Sequence, residues 1–140
     1  MDKYEVFGAH PEGQFYALPN AIDFISGIDV HRIQARYFYL TSRWMTRVQR
    51  LPEFRAAVTL DPTHCAGLVA WELAGTDPTV VRKILREKRV RNGRTESYAG
   101  FFGIPEKAPR FLFIANAAPF TSIADVDRLA DTIEAAARKS

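Results

Sequence analysis

The sequence predicts an α+β fold: a small, mostly antiparallel sheet with helices on one face, preceded by a long amphipathic helix. Three observations carry that expectation. Val30, Ile33, Tyr37, Leu40, Trp44, Val48 and Leu51 recur at spacings of three and four, the period of one helix face. The run Gly67 to Leu73 (GLVAWEL) is dense in strand formers. Extended runs then mostly alternate with helical ones, with one hairpin signal among them, which is the pattern of a layered α+β domain.

Taken in order, Phe7-Gly8-Ala9-His10-Pro11-Glu12-Gly13 reads as a loop, because Gly and Pro break any period. Phe15 to Ile25 is apolar and reads as a short helix, with Pro19 near its first turn and Gly27 at its end. Asp29 is placed to cap the long helix, which Pro52 closes. Arg32, Arg36, Arg43, Arg47 and Arg50 fall on its other face and read as a solvated side. Ala57 to Leu60 is expected as a strand before Asp61-Pro62, and Gly67 to Leu73 as a second. Asp77-Pro78 has the cap-and-first-residue chemistry of a helix whose inner face is Val81, Ile84 and Leu85. Asn92-Gly93 between short extended runs is a hairpin signal. Phe101 to Pro105 reads as a loop and Phe111 to Ala115 as a third apolar strand. Ser122 and Asp125 have the spacing of a capping box, and Ile123, Val126, Leu129, Ala130 and Ile133 give the last helix one apolar face.

Composition narrows the function classes. The chain has 140 residues, 47% hydrophobic and 25% charged, which excludes disordered and collagen-like chains. No apolar run approaches the ~20 residues of a bilayer span, so no membrane is expected as a partner. The opening MDKYEVFGAH lacks an apolar leader core, and a single cysteine forms no internal disulfide, so a cytoplasmic location is expected. A net charge of +3 is too mild to imply nucleic acid. The basic run Arg82, Lys83, Arg86, Lys88, Arg89, Arg91 and Arg94 could hold an anion, a phosphate or RNA, but it lacks the interleaved aromatics of an RNA surface and reads mainly as a solvated helix face. His64-Cys65 has no companion ligands at metal-site spacing, so no metal is expected. The nucleophile-elbow, dinucleotide and phosphate-loop patterns are absent.

With these elements placed, the chain resembles the C-terminal part of class V aminotransferases, pyridoxal-phosphate enzymes of fold type I that include cysteine desulfurases and isopenicillin-N-epimerase-like proteins. Lys3-Tyr4-Glu5-Val6-Phe7-Gly8-Ala9-His10 resembles the family's "(Y)E..GT" stretch near the end of its large domain. Ala21-Ile22-Asp23-Phe24, Ile28 and Arg32-Ile33-Gln34-Ala35-Arg36 resemble "Ai.f...iG...i..R". Ala66-Gly67-Leu68-Val69-Ala70-Trp71 is similar to "gi.sf", and Val90-Arg91-Asn92-Gly93 to "vR.G". Phe120-Thr121 followed by Ala124-Asp125-Val126-Asp127-Arg128-Leu129 is similar to the closing "YNt.eDid.L".

The resemblance implies a division at residue 28. Residues 1–28 would be the remnant of a large-domain end, and residues 29–140 a small C-terminal domain with its long linker helix. It also implies that the Schiff-base lysine, the carboxylate partner of the pyridine nitrogen and the ring-stacking residues belong to another chain. This chain would then supply no catalytic residue of its own. Gly8, Ala9 and His10 would meet the phosphate of a partner chain's cofactor through backbone or loop atoms, since Ala9 stands where the family has a threonine hydroxyl. The desulfurase nucleophile position falls on Glu96, which disfavours that mechanism. The family's carboxylate-gripping arginine falls on Ile114. Arg110 could replace it only by reaching about 13 Å farther along the strand. Arg91 either holds a substrate carboxylate or cofactor phosphate, or is a hairpin arginine in water.

Two functions follow as expectations. The first is a small domain or small subunit of a pyridoxal-phosphate enzyme acting on an amino-acid-type substrate, partnered by a separate large-domain chain. It would be a natural subunit or a truncated product, and inactive alone. The second is a non-catalytic interaction module, a homo-oligomer associating through the long helix, where Tyr37, Phe38, Tyr39 and Trp44 would be exposed.

Overall fold

A computed structural model describes residues 12–63, 67–90, 93–94 and 113–139. The described elements are α1 (Glu12–Ile28), α2 (Val30–Val48), β1 (Phe54–Ala56), β2 (Leu68–Leu73), α3 (Pro78–Glu87), β3 (Gly93–Arg94), β4 (Phe113–Asn116) and α4 (Ile123–Ala137). The chain divides into two compact units, Met1–Ile33 and Gln34–Ser140.

In the first unit, α1 starts before the expected Phe15 and takes both Pro19 and Gly27 into its interior. The turn that ends it falls instead on Asp29, which adopts a left-handed backbone (φ 80°), a region that Asp tolerates better than most residues. The Asp29 N–H donates to Ser26 O (3.1 Å) and its carboxylate accepts from the His31 N–H (2.9 Å). Asp29 therefore caps α2, as its position in the sequence predicts.

In the second unit the sheet is antiparallel, with strand order β1-β2-β4-β3. One sheet face is closed by helices. Val69, Trp71 and Leu73 of β2 and Phe113 and Ala115 of β4 are buried with Leu40, Trp44, Met45 and Val48 of α2. Val81, Ile84 and Leu85 of α3 join the same cluster, as do Val126, Ala130, Ile133 and Ala136 of α4. An aromatic stack runs through it. Trp71 lies between Phe54 (6.2 Å, interplanar 24°) and Phe113 (4.8 Å, 28°), and Trp44 meets Phe54 edge-on (6.1 Å, 87°).

Several boundaries differ from the sequence reading. The first strand lies at Phe54–Ala56 rather than at Ala57 to Leu60, because Phe54 is the side chain the stack takes up; the pairing runs on only to the Ala57 N–H on Ala70 O (2.8 Å). The long helix stops at Val48, and Arg50 and Leu51 close it with i−3 bonds to Arg47 O (3.4 Å) and Val48 O (3.0 Å). The residue before a proline disfavours helical backbone, so Leu51 leaves the helix ahead of Pro52. Gly93 and Arg94 pair with Ile114 and Phe113 of β4, and the Val90 N–H is committed to Leu85 O (2.8 Å); Asn92, which carries the hairpin signal, lies outside the described residues. Tyr37 and Phe38 are half-buried and Trp44 is buried, so the aromatic residues of α2 do not form the expected exposed patch; only Tyr39 among them is exposed.

The arginine face of α2 is not merely solvated. Arg43 makes a two-pronged pair with Asp127 (2.7 and 2.9 Å). Arg47 reaches both Asp131 (2.6 Å) and Glu134 (3.0 Å). Arg36 donates to the carbonyls of Pro119 (3.3 Å) and Thr121 (3.1 Å), which fixes the turn before α4. The helix starts also follow the sequence. The Asp77 carboxylate accepts from the Thr79 N–H (2.8 Å). Ser122 Oγ accepts from the Asp125 N–H (3.1 Å) and donates to the Asp125 carboxylate (2.6 Å).

Two measurements check this account. Gly67 has φ +82°, and a Cβ there would run into the Tyr37 ring and crowd Ala117 O. Gly67→Ala is expected to lower urea-unfolding stability by about 2–4 kcal/mol, from left-handed strain plus overpacking. The Arg43 guanidinium holds the Asp127 carboxyl below its usual range. The folded state therefore binds that proton less readily than the unfolded chain does. Its stabilisation is present above about pH 4 and is lost as pH falls through the lower folded value. Asp127→Asn should remove part of the acid-limb slope of urea midpoint against pH, and salt should flatten the wild-type slope.

Candidate functional site

The described residues bring one cavity together where the end of α3, the end of β4 and the first turns of α4 meet. It has a volume of ≈ 340 Å³. Trp44, Ala115, Ala117 and Val126 form a buried apolar floor. Arg89, Asn116, Asp125 and Arg128 supply exposed polar chemistry around it. Arg89 and Arg128 also line a neighbouring hollow of ≈ 530 Å³, so the two arginines stand between the cavities.

The position of Arg89 follows from how α3 ends. The Arg89 N–H bonds Arg86 O (3.0 Å) and the Val90 N–H bonds Leu85 O (2.8 Å). That pair of bonds is a Schellman cap, whose residue after the cap takes a left-handed backbone and is commonly glycine. Here it is Arg89, at φ 56°. Val90 packs against the core cluster that holds Leu85, which completes the motif. The Arg89 guanidinium has no partner among the described residues. Among the described residues the Arg128 side chain is engaged only by Asp125, at 3.3 Å and with both side chains about half exposed.

None of the site residues expected from sequence lies within this description. Gly8, Ala9, His10, Arg91 and Arg110 fall outside the described residues, as do His64, Cys65 and Glu96. Ile114 is described. It is half-buried in β4 and paired with Ala70 on one side and Gly93 on the other. Arg82 carries a buried Nε with no hydrogen-bond partner among the described residues, whereas Lys83, Arg86, Lys88 and Arg89 are exposed. Sequence reasoning includes Arg89 only as one member of the basic run that could hold an anion and does not single it out, because an arginine after a helix gives no signal of a left-handed cap; a glycine would have.

The described residues do not fit a pyridoxal-phosphate site of their own. A lysine activated for imine chemistry needs desolvation or a neighbouring cation in an enclosed pocket, and Lys83, Lys88 and Lys139 are all exposed on the surface. Among the described residues there is no cluster of three or more His, Cys, Asp or Glu able to hold a metal, and no helix is long and apolar enough to cross a membrane.

No protein-family profile matches the sequence, and no curated protein matches it. Solved structures do match its fold. The cysteine desulfurase CsdA of Escherichia coli, crystallised in an S-sulfonic acid form, superposes with a TM-score of 0.70 at 17% identity, over 94% of this chain and 32% of that one. The apo cysteine desulfurase of Thermococcus onnurineus gives 0.73 at 19% identity, over 95% and 33%. A NifS-like protein of Rickettsia africae gives 0.60 at 9% identity, over 80% and 31%. The chain thus shares the fold of part of these proteins, and it spans about a third of their length.

The cap makes its own prediction. Arg89→Gly relieves the left-handed strain, and the ligand-free chain should gain about 1 kcal/mol in urea unfolding.

Proposed function

We propose that the chain is the small-domain part of a class V aminotransferase-like pyridoxal-phosphate enzyme acting on an amino-acid-type substrate. A separate large-domain chain would supply the Schiff-base lysine and the cofactor's binding groups. The fold match supports the enzyme class. The observation that carries the need for a partner is α1. Phe15, Leu18, Ile22 and Ile25 form one stripe at helical spacing, and Ala17, Ala21, Phe24 and Ile28 form another. The two stripes adjoin in one apolar face about half the helix wide, opposite Asn20, Asp23 and Ser26, and a helix face of that kind packs against another surface. Yet residues 15–28 are all exposed, with Tyr16 at 76% and Phe24 at 69%. A contiguous apolar surface of that kind marks an association site.

A second reading, a non-catalytic module that associates with itself, draws on the same surface. Its docking element would be α1 rather than the aromatic residues of the long helix, of which Trp44 is in the core and Tyr37 and Phe38 are half-buried.

Mixing experiments separate the two. The purified chain with added pyridoxal phosphate should show no absorption band of lysine-bound cofactor, and the band should appear when a large-domain chain is added. Ile22→Lys combined with Phe24→Lys should abolish that complex and leave the unfolding of residues 34–140 unchanged. A band from this chain alone, removed by mutating one of its lysines, would overturn the proposal. A cofactor-free homodimer broken by the same double substitution would favour the module.

A further inference from the structure

The geometry of the cavity beside Arg89 does not rest on the reading above. Its floor lies on the helix-covered side of β4, marked by Ala115 and Ala117 with Trp44 of α2. Ile114, where the resemblance puts a substrate-gripping arginine, alternates to the other side of that strand.

We infer that this cavity binds a small organic carboxylate with an apolar body. Four observations point to that class. The volume, ≈ 340 Å³, is at the small end of ligand pockets and suits a ligand of about ten heavy atoms. The floor is apolar and already buried without a ligand, so an apolar body gains contact at little ordering cost. Two arginines face one carboxylate among the lining residues, which leaves one unit of positive charge to be matched. That balance fits a monoanion. A phosphate dianion would need more donors and would leave the floor empty.

The fourth observation concerns Arg89 itself. Its backbone holds a conformation in which glycine would be more stable, and its guanidinium binds nothing among the described residues. Strain of this kind persists where another role offsets it. A planar guanidinium at the mouth of an apolar cavity can take a carboxylate with two parallel N–H bonds. Arg128 has donors to spare, because its one side-chain bond among the described residues, to Asp125, is long and exposed.

The test is a titration of the full 140-residue chain with phenylacetate, followed through amide resonances. Shifts are expected at Val90, Ala115 to Ala117 and Val126 to Leu129. The uncharged analogue 2-phenylethanol should bind about tenfold more weakly, and inorganic phosphate should give no shift at those amides. Arg89→Gly should weaken phenylacetate binding about tenfold while the chain stays folded, and Arg128→Gln should do the same by a route that leaves the cap untouched. Equal binding of phenylacetate and 2-phenylethanol would overturn the assignment. So would shifts confined to other amides, phosphate binding as tight as that of phenylacetate, or unchanged affinity in both arginine variants.

Discussion

Most of the second unit depends on where Trp71 sits. It lies mid-strand in β2, the strand bonded to both β1 and β4, and it stacks on one aromatic ring from each neighbour. Because strand side chains alternate, a one-residue slip of either neighbour would turn Phe54 or Phe113 out to solvent. The stack therefore sets two registers at once. Trp44 then meets Phe54 edge-on, which ties α2 to the same point. Each such ring pair adds about 0.5–1.5 kcal/mol beyond the area it buries. Against this stands the Trp71 indole N–H, buried without a hydrogen-bond partner among the described residues, at a cost of about 1–3 kcal/mol. The stack outweighs that cost only through the burial of the rings themselves.

The second constraint is electrostatic and links α2 to α4. Arg43 and Arg47 are one turn apart, and so are Asp127 and Asp131, with Glu134 following. Two helices with matched one-turn spacing can align their charges in a ladder. Exposed pairs of this kind contribute little singly, so they act more as a choice of alignment than as a source of stability. The apolar cluster brings α4 onto the sheet, and the ladder selects which stretch of α2 it runs beside. Arg36 sets the entrance to α4 by holding two carbonyls of the preceding turn.

These two constraints explain what the sequence reveals and what it hides. Local chemistry is legible. The caps at Asp29, Asp77 and Ser122, the inner face of α3 and the GLVAWEL strand follow from residues a few positions apart. Features that need a distant partner are not. β1 is set by what Phe54 touches across the sheet, not by the β-branched residues after it. The arginines of α2 read as solvated because their acidic partners lie over eighty residues away in sequence. The site is less legible than the fold for a related reason. The resemblance directs attention to Arg91, Arg110 and the Gly8 to His10 loop, all outside the described residues. The cavity is built from the end of one element and the start of another, with its key arginine placed by a cap geometry that no sequence pattern announces.

The two units make opposite use of apolar residues. Among the described residues between 34 and 139 the large apolar side chains mostly converge on one cluster, and the exposed ones, such as Leu68 and Phe120, are scattered. Scattered exposure of that kind is normal for a folded surface. In α1 the apolar residues share one half of the helix, opposite Asn20, Asp23 and Ser26, and that whole face is exposed. The average of 47% hydrophobic residues conceals this contrast, because it adds a core that closes on itself to a helix that needs surroundings. It is the distribution along the chain, not the total, that separates a self-sufficient sheet-and-helix unit from a segment whose sequence is written for an interior.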